Sequence, residues 1–220
     1  MSRRKYKVFS KSAGGAESGF TIVELLIATL VFSVVLLLIT FGILQVTNTF
    51  FKGENDANTQ RVATSVLNTI AEAIQFDGGA VTSGTDTICV GSQQFSFWPG
   101  YELEPSVASG KYQSTTALIE NSGGCTGRST TGRELLTDNM RLSNLTVTCL
   151  STPAVCSSPT ADGAVYQIEV RVVFGDDNLL FSPSKTVPAA TAPDAECDGA
   201  IEGEQFCAVS DISTIVAERI

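Results

Sequence analysis

The stretch "SGFTIVELL", residues 18–26, sets a glutamate a few residues into what becomes a long apolar run. From Leu25 to Phe51 no residue is charged. A helix needs about 20 apolar residues to cross a hydrocarbon core of about 30 Å, so the run predicts one membrane span. Later apolar runs are shorter, and "AVYQIEVRVVF" at 164–174 partly alternates, which reads as a strand rather than a second crossing. The flanks predict the orientation. Arg3, Arg4, Lys5, Lys7 and Lys11 precede the run against only Glu17, and basic flanks stay on the cytoplasmic side. Everything after residue 51 is then expected outside.

The 220 residues are 43% hydrophobic, but much of that sits in this one block, so one modest extracytoplasmic domain is expected. The first 19 residues carry net +4, and with a total of −9 the remainder carries −13. So acidic a remainder does not favour nucleic acid or anionic lipid, whose affinity rests on cationic contacts and counterion release. No direct nucleic-acid binding is expected. Lys111, Arg128 and Arg133 read as scattered solvated charges rather than a basic patch.

All six cysteines lie beyond the span, which suits an oxidising compartment and up to three disulfides. Proximity favours Cys197 with Cys207 and Cys149 with Cys156, leaving Cys89 with Cys125 by elimination. The chain has no histidine and no CxxC pair, which argues against zinc. It also lacks the motifs of common hydrolases and nucleotide-binding loops, so neither catalysis nor a cofactor is expected. Asp176 and Asp177 in "FGDDN" read as a hairpin turn rather than a catalytic pair. Asp194, Glu196, Asp198, Glu202 and Glu204 match no calcium loop and read as solvated charge. "NLT" at Asn144 fits a glycosylation sequon but falls inside a predicted strand.

The N-terminus is not built like a secretory signal. Such a signal has a basic region, about 7 to 15 apolar residues and then a small-residue cleavage site. Here the apolar run is too long and the break in character precedes it, at Gly19 and Phe20. Gly19, Phe20, Thr21 and Glu24, behind a short basic leader, resemble the prepilin signal of type IV pilins and pseudopilins. The resemblance implies cleavage between Gly19 and Phe20 by a prepilin peptidase and N-methylation of Phe20. It also implies a role for Thr21 and Glu24 in assembly with other pilin subunits. Glu24 would meet the Phe20 ammonium of an adjacent subunit and act as a registration device, because an unpaired buried charge penalises wrong staggers. The alternative is that Glu24 snorkels to the headgroups and suits the helix dipole.

The rest of the chain predicts the fold. With no proline before Pro99 and with Val62, Val66, Ile70 and Ile74 at spacing four, one helix is expected from about 21 to 76. Its first half is apolar all round and its second half amphipathic. Gly78 and Gly79 supply a stop signal, and Gly53 a point of loosening. Strands are expected at 85–90, 93–98, 112–120, 141–150 and 164–174, with Gly91 and Ser92 making a tight hairpin. "TGRELLTDNM" reads as a short helix or turn before its strand; in the tail from 175 to 220, "SPSKTVPAATAPDAE" at 182–196 reads as a surface loop held at its far end by Cys197 and Cys207.

These elements give an α+β class: a long N-terminal helix, half transmembrane and half amphipathic, packed on an antiparallel sheet. The expected organisation is a leader at 1–19, a membrane and assembly helix at 20–51, and an extracytoplasmic head at 52–220. The likeness to larger minor pilins extends loosely to "TGRELLTDNMRLSNLTV" and "YQIEVRVVFGD". It implies a low-abundance subunit of a pilus or type II secretion filament, placed in the inner membrane before assembly and in a surface filament afterwards.

Overall fold

A computed structural model of the chain describes residues 19–77, 81–84, 86–99, 117–125, 127–129, 131–152, 156, 163–181, 195–200 and 203–219. The first element is a single helix, α1, over Ile22–Phe76. Gly53 lies inside it without a break, because an exposed glycine within a helix costs only about 1 kcal/mol relative to alanine. Gly78 and Gly79 lie outside the described residues.

By length and composition α1 is able to cross a membrane, and among the described residues it is the only helix that is. Its first part exposes apolar side chains on all sides, Ile22, Leu30, Leu37 and Ile43 among them. Its later part buries one stripe, Val62, Ala63, Val66, Leu67, Ile70 and Ile74.

That stripe nucleates the head. Strands β1 (Val81–Ser83), β2 (Thr87–Val90), β3 (Gln93–Phe97), β4 (Leu118–Asn121) and β5 (Arg133–Glu134) form one antiparallel sheet in sequence order. The long strands β6 (Met140–Cys149), β7 (Val165–Phe174) and β10 (Ala208–Ala217) form a second, with β7 central. The short pair β8 (Leu180–Phe181) and β9 (Glu196–Cys197) makes a third. Ile88, Phe95 and Leu118 from the first sheet and Leu142, Ile168 and Val170 from the second join the helix stripe in one core.

Local chemistry explains the joints. Val90 pairs with Gln93 across a two-residue turn at Gly91 and Ser92, with Gly91 at φ 53° as such a turn requires. The Asp77 carboxylate ties this turn to the end of α1 by accepting from Ser92 N at 2.9 Å and Gln93 N at 3.1 Å. In β6, Leu142 and Leu145 are three apart, which in a regular strand would put them on opposite faces. A bulge between Leu142 and Asn144 resets the alternation, and both side chains reach the core.

The outer face of the first sheet is also covered. Gln94 and Ser96, pointing away from the core, are buried. Gln94 donates to Gly127 O, and Ser96 Oγ accepts from Ser129 N at 2.9 Å. Disulfide Cys89–Cys125 fastens this loop to β2. Disulfides also join Cys149 to Cys156 and Cys197 to Cys207, with Cα atoms 6.3 and 5.7 Å apart.

The structure departs from the sequence reading in four places. β1 at Val81–Ser83 pairs with β2 where no strand is expected. No strand is expected beyond 174, yet β10 pairs with β7 over ten positions, from Ala208 against Phe174 to Ala217 against Val165. "TGRELLTDNM" begins extended in β5 and then turns, with Asn139 at φ 61°. The segment after β7 is a one-turn 3-10 helix, Asp177–Leu179, leading into a different sheet rather than a hairpin back onto β7. Of the strand expected at 112–120, only 117–120 falls on described residues, and β4 there runs on to Asn121.

Two outcomes follow for stability, measured by denaturant unfolding of the full chain in detergent. Ile70 is fully buried, and Ile70→Ala is expected to cost about 3 kcal/mol through lost burial and a cavity. Glu134 Oε1 accepts from Leu118 N at 2.9 Å and Leu136 N at 3.3 Å, while its buried Oε2 accepts no hydrogen bond from the described residues. Burial pushes this carboxyl above its ordinary value of 4.5, and the backbone donors offset only part of the rise. Folding therefore favours protonated Glu134. Its contribution is full below the unfolded pKa and is lost as pH rises through the folded one. The stability of the native chain minus that of Glu134→Gln should be largest near pH 4 and fall toward pH 7. A difference independent of pH removes the assignment.

Candidate functional site

The start of α1 is a built structure. Thr21 stands just before the first helical residue. Its Oγ1 accepts from Glu24 N at 3.2 Å, while Glu24 Oε2 accepts from Thr21 N and from Thr21 Oγ1, both at 2.9 Å. This reciprocal arrangement is a capping box, in which two residues three apart satisfy each other's backbone donors at a helix start. The Thr-x-x-Glu spacing, Thr21-Ile22-Val23-Glu24, signals it in the sequence, and the reading above passed over it.

The box gives Glu24 a structural use as well as a charge. One carboxylate oxygen is committed to the helix start, and Oε1 accepts no hydrogen bond from the described residues. Phe20, one residue before the cap, is 84% exposed, so the peptide bond from Gly19 to Phe20 lies outside the helix. Residues 1–18, which hold the basic leader, lie outside the described residues.

In the head, the C-terminal segment is fastened to α1 just after its apolar run. The Lys52 ammonium pairs with Glu204, Asn55 Nδ2 donates to Gln205 O at 2.9 Å, and Phe51 packs on Phe206 with ring centroids 6.1 Å apart. Glu204 holds the Lys52 ammonium above its ordinary range by hydrogen bond and charge. Gly175 faces the same turn. At φ 128° it adopts a backbone few other residues tolerate, and a side chain there would press on Phe206 O at 3.0 Å.

The acidic side chains of the tail that fall among the described residues do not converge. Glu196 lies 3.6 Å from Arg171, Glu204 pairs with Lys52, and Asp198 Oδ1 accepts from Ala200 N at 3.0 Å. Asp194 and Glu202 lie outside the described residues. Among the described residues no cluster of three acidic, histidine or cysteine side chains is arranged to hold a metal. Arg128 pairs with Asp86 beneath the ring of Trp98, and Arg133 with Glu120, so each is matched locally. Lys111 lies outside the described residues. Asn144 sits on β6 just past the bulge.

An open cleft of about 440 Å³ lies beside the C-terminal end of α1, lined by Glu72, Phe76, Asp77, Gln93, Glu120 and Arg133. Three of its charged groups are engaged with one another or with the fold: Glu120 accepts from Arg133 Nε at 2.8 Å and Asp77 holds the β2–β3 turn. Thr69 also lines it, with its hydroxyl donating to Ser65 O at 2.9 Å. Comparison with protein-family models, with curated proteins and with solved structures finds no match to this chain.

The capping box predicts a separable result. Glu24→Gln keeps an acceptor oxygen for Thr21 N, whereas Glu24→Leu removes it. Hydrogen exchange of the first-turn amides should stay near native for Glu24→Gln and speed about fivefold for Glu24→Leu, matching a cap worth about 1 kcal/mol. Equal exchange in the two variants means Glu24 does not cap.

Proposed function

We propose that the chain is a structural subunit of a type IV pilus or type II secretion filament, of the larger, less abundant kind, rather than an enzyme. A prepilin peptidase would cut it between Gly19 and Phe20, and Phe20 would be methylated. Before assembly the molecule would lie in the inner membrane with its N-terminus in the cytoplasm and its head outside.

One observation carries the reading. The Gly-Phe-Thr-x-x-Glu box stands at the cap of a helix that is apolar all round at first and then buries a single stripe. Such a helix suits two environments in turn. Lipid solvates its first part before assembly, and neighbouring copies of the same helix replace lipid afterwards. Glu24 would supply the register, since the carboxylate keeps one oxygen for the ammonium of another subunit's Phe20. A correct stagger pairs both charges, and a wrong one leaves each alone in an apolar medium.

The other partners are the peptidase that removes the leader and methylates Phe20, and the remaining subunits of the filament. The disulfides fit an oxidising destination for the head.

Peptide mass spectrometry on native membranes and on sheared surface material is expected to find a chain beginning at methylated Phe20, scarcer than a major pilin in the sheared fraction. Glu24→Gln should reduce incorporation by more than about tenfold, the order of loss when a buried ion pair loses one member. A chain that keeps Met1 to Gly19 in a cell with active prepilin peptidase refutes the proposal and turns attention to a monomeric, membrane-anchored surface domain.

A further inference from the structure

Phe50, Phe51 and Phe206 form one apolar patch that the head leaves open. The ring of Phe51 lies 6.4 Å from Phe50 and 6.1 Å from Phe206, centroid to centroid. The three residues are 68%, 41% and 49% exposed. Adjacent rings exposed together mark a surface that is covered in use.

Phe206 reaches this patch from the far end of the sequence, and its position is fixed on several sides. It ends the one-turn 3-10 helix Glu204–Phe206, which begins at Gly203 with φ 109°. The Lys52–Glu204 pair and the bond from Asn55 to Gln205 O hold that turn to α1. The next residue, Cys207, is fixed to Cys197. The core does not require the Phe206 side chain, which packs on Phe51 at the surface.

The sequence says what covers the patch. Phe50 and Phe51 are the last residues of the charge-free run that starts at Leu25. That run is about seven residues longer than the roughly 20 that cross a hydrocarbon core, so its end falls in the headgroup zone. Phe206 is locked beside Phe51 and shares that depth. Aromatic rings favour this layer, where a flat apolar body meets polar headgroups. Lys52 pairs with Glu204, so the turn brings no unmatched carboxylate of its own to the surface.

We propose that Phe50, Phe51 and Phe206 are a membrane-contact site of the head, seated among the headgroups and upper acyl chains of the bilayer that α1 crosses. The turn at 204–206 is thus a foot that rests the head on the membrane. The proposal depends on α1 as a membrane span and not on assembly into a filament.

The test uses the full chain in phosphatidylcholine vesicles, with insertion checked by flotation. Trp98→Phe combined with Phe206→Trp puts the sole tryptophan in the patch, and Trp98→Phe with Phe76→Trp puts it at the other end of the exposed helix. Lipids brominated near the headgroup should quench the residue-206 tryptophan several-fold more than the residue-76 one. Equal quenching in chains that float overturns the proposal and leaves the span standing. A chain that does not float removes both. Blue-shifted emission that escapes bromine as the protein-to-lipid ratio rises overturns it in favour of a second copy covering the patch.

Hydroxyl-radical footprinting of the unaltered chain in the same vesicles guards against misfolding of the variants. Phe206 should be oxidised far less than Phe76, well beyond the difference implied by exposures of 49% and 70%. Oxidation in proportion to those exposures overturns the proposal.

Discussion

The head depends on one stripe of side chains. Val62, Val66, Ile70 and Ile74 recur every four residues along α1 and are buried, and each contributes about 1.5 to 3 kcal/mol when removed from water. A lone helix cannot bury its own stripe, so strands must come to it. Both larger sheets do, and their inward residues meet the stripe in one core. The details of those sheets serve this contact. The bulge in β6 turns Leu145 inward, and the Asp77 clamp sets the first hairpin where Ile88 and Phe95 reach the helix.

By length and composition the same helix suits a second medium through what its first part lacks. Between Leu25 and Phe51 no charge interrupts the apolar surface, and hydroxyl groups turn back onto the backbone: Ser33 Oγ donates to Leu30 O and Thr40 Oγ1 to Leu36 O. This satisfies those hydroxyls within the helix, as a bilayer requires. Charged residues return at Lys52, and from Thr59 onward the helix buries a single stripe.

What could be read from the sequence followed the strength of the periodic signal. The helix was legible because its two halves carry unambiguous patterns and no proline interrupts them. β2, β3, β6 and β7 were legible because Phe95 with Phe97, or Val170 with Val172, alternate onto a face that the core needs. β10 was not. Its inward positions include Ala208, Ser210 and Thr214, while Ile215 faces out and is 66% exposed. Alternation is thereby blurred, and pairing along all of β7 supplies what side-chain pattern does not. β8 and β9 are too short for any period. They exist because the outer face of the second sheet needs a cover, which Leu179, Leu180 and Ala195 provide over Val173. Of the candidate site, Gly19, Phe20, Thr21 and Glu24 were visible as a motif. Their mutual hydrogen bonding was present in the spacing and was overlooked, because the carboxylate was weighed only as a charge.

The cap that Glu24 makes is compatible with the register proposed for it, because a carboxylate has two oxygens and a helix start has a fixed polarity. The cap holds Oε2 against Thr21 N and Oγ1, which orients the group at the positive end of the helix dipole and spares it the freedom a long side chain would otherwise lose on pairing. A carboxylate placed in this way presents its remaining oxygen in one direction. Register between helices needs that directionality, since a flexible charge would accept a cation at several staggers and penalise none. Leucine at this position would remove both functions, and alanine would too, whereas glutamine keeps the geometry and loses only the charge. On the proposed function, the residue's worth to the chain therefore lies in the conjunction of a rigid cap with a formal charge.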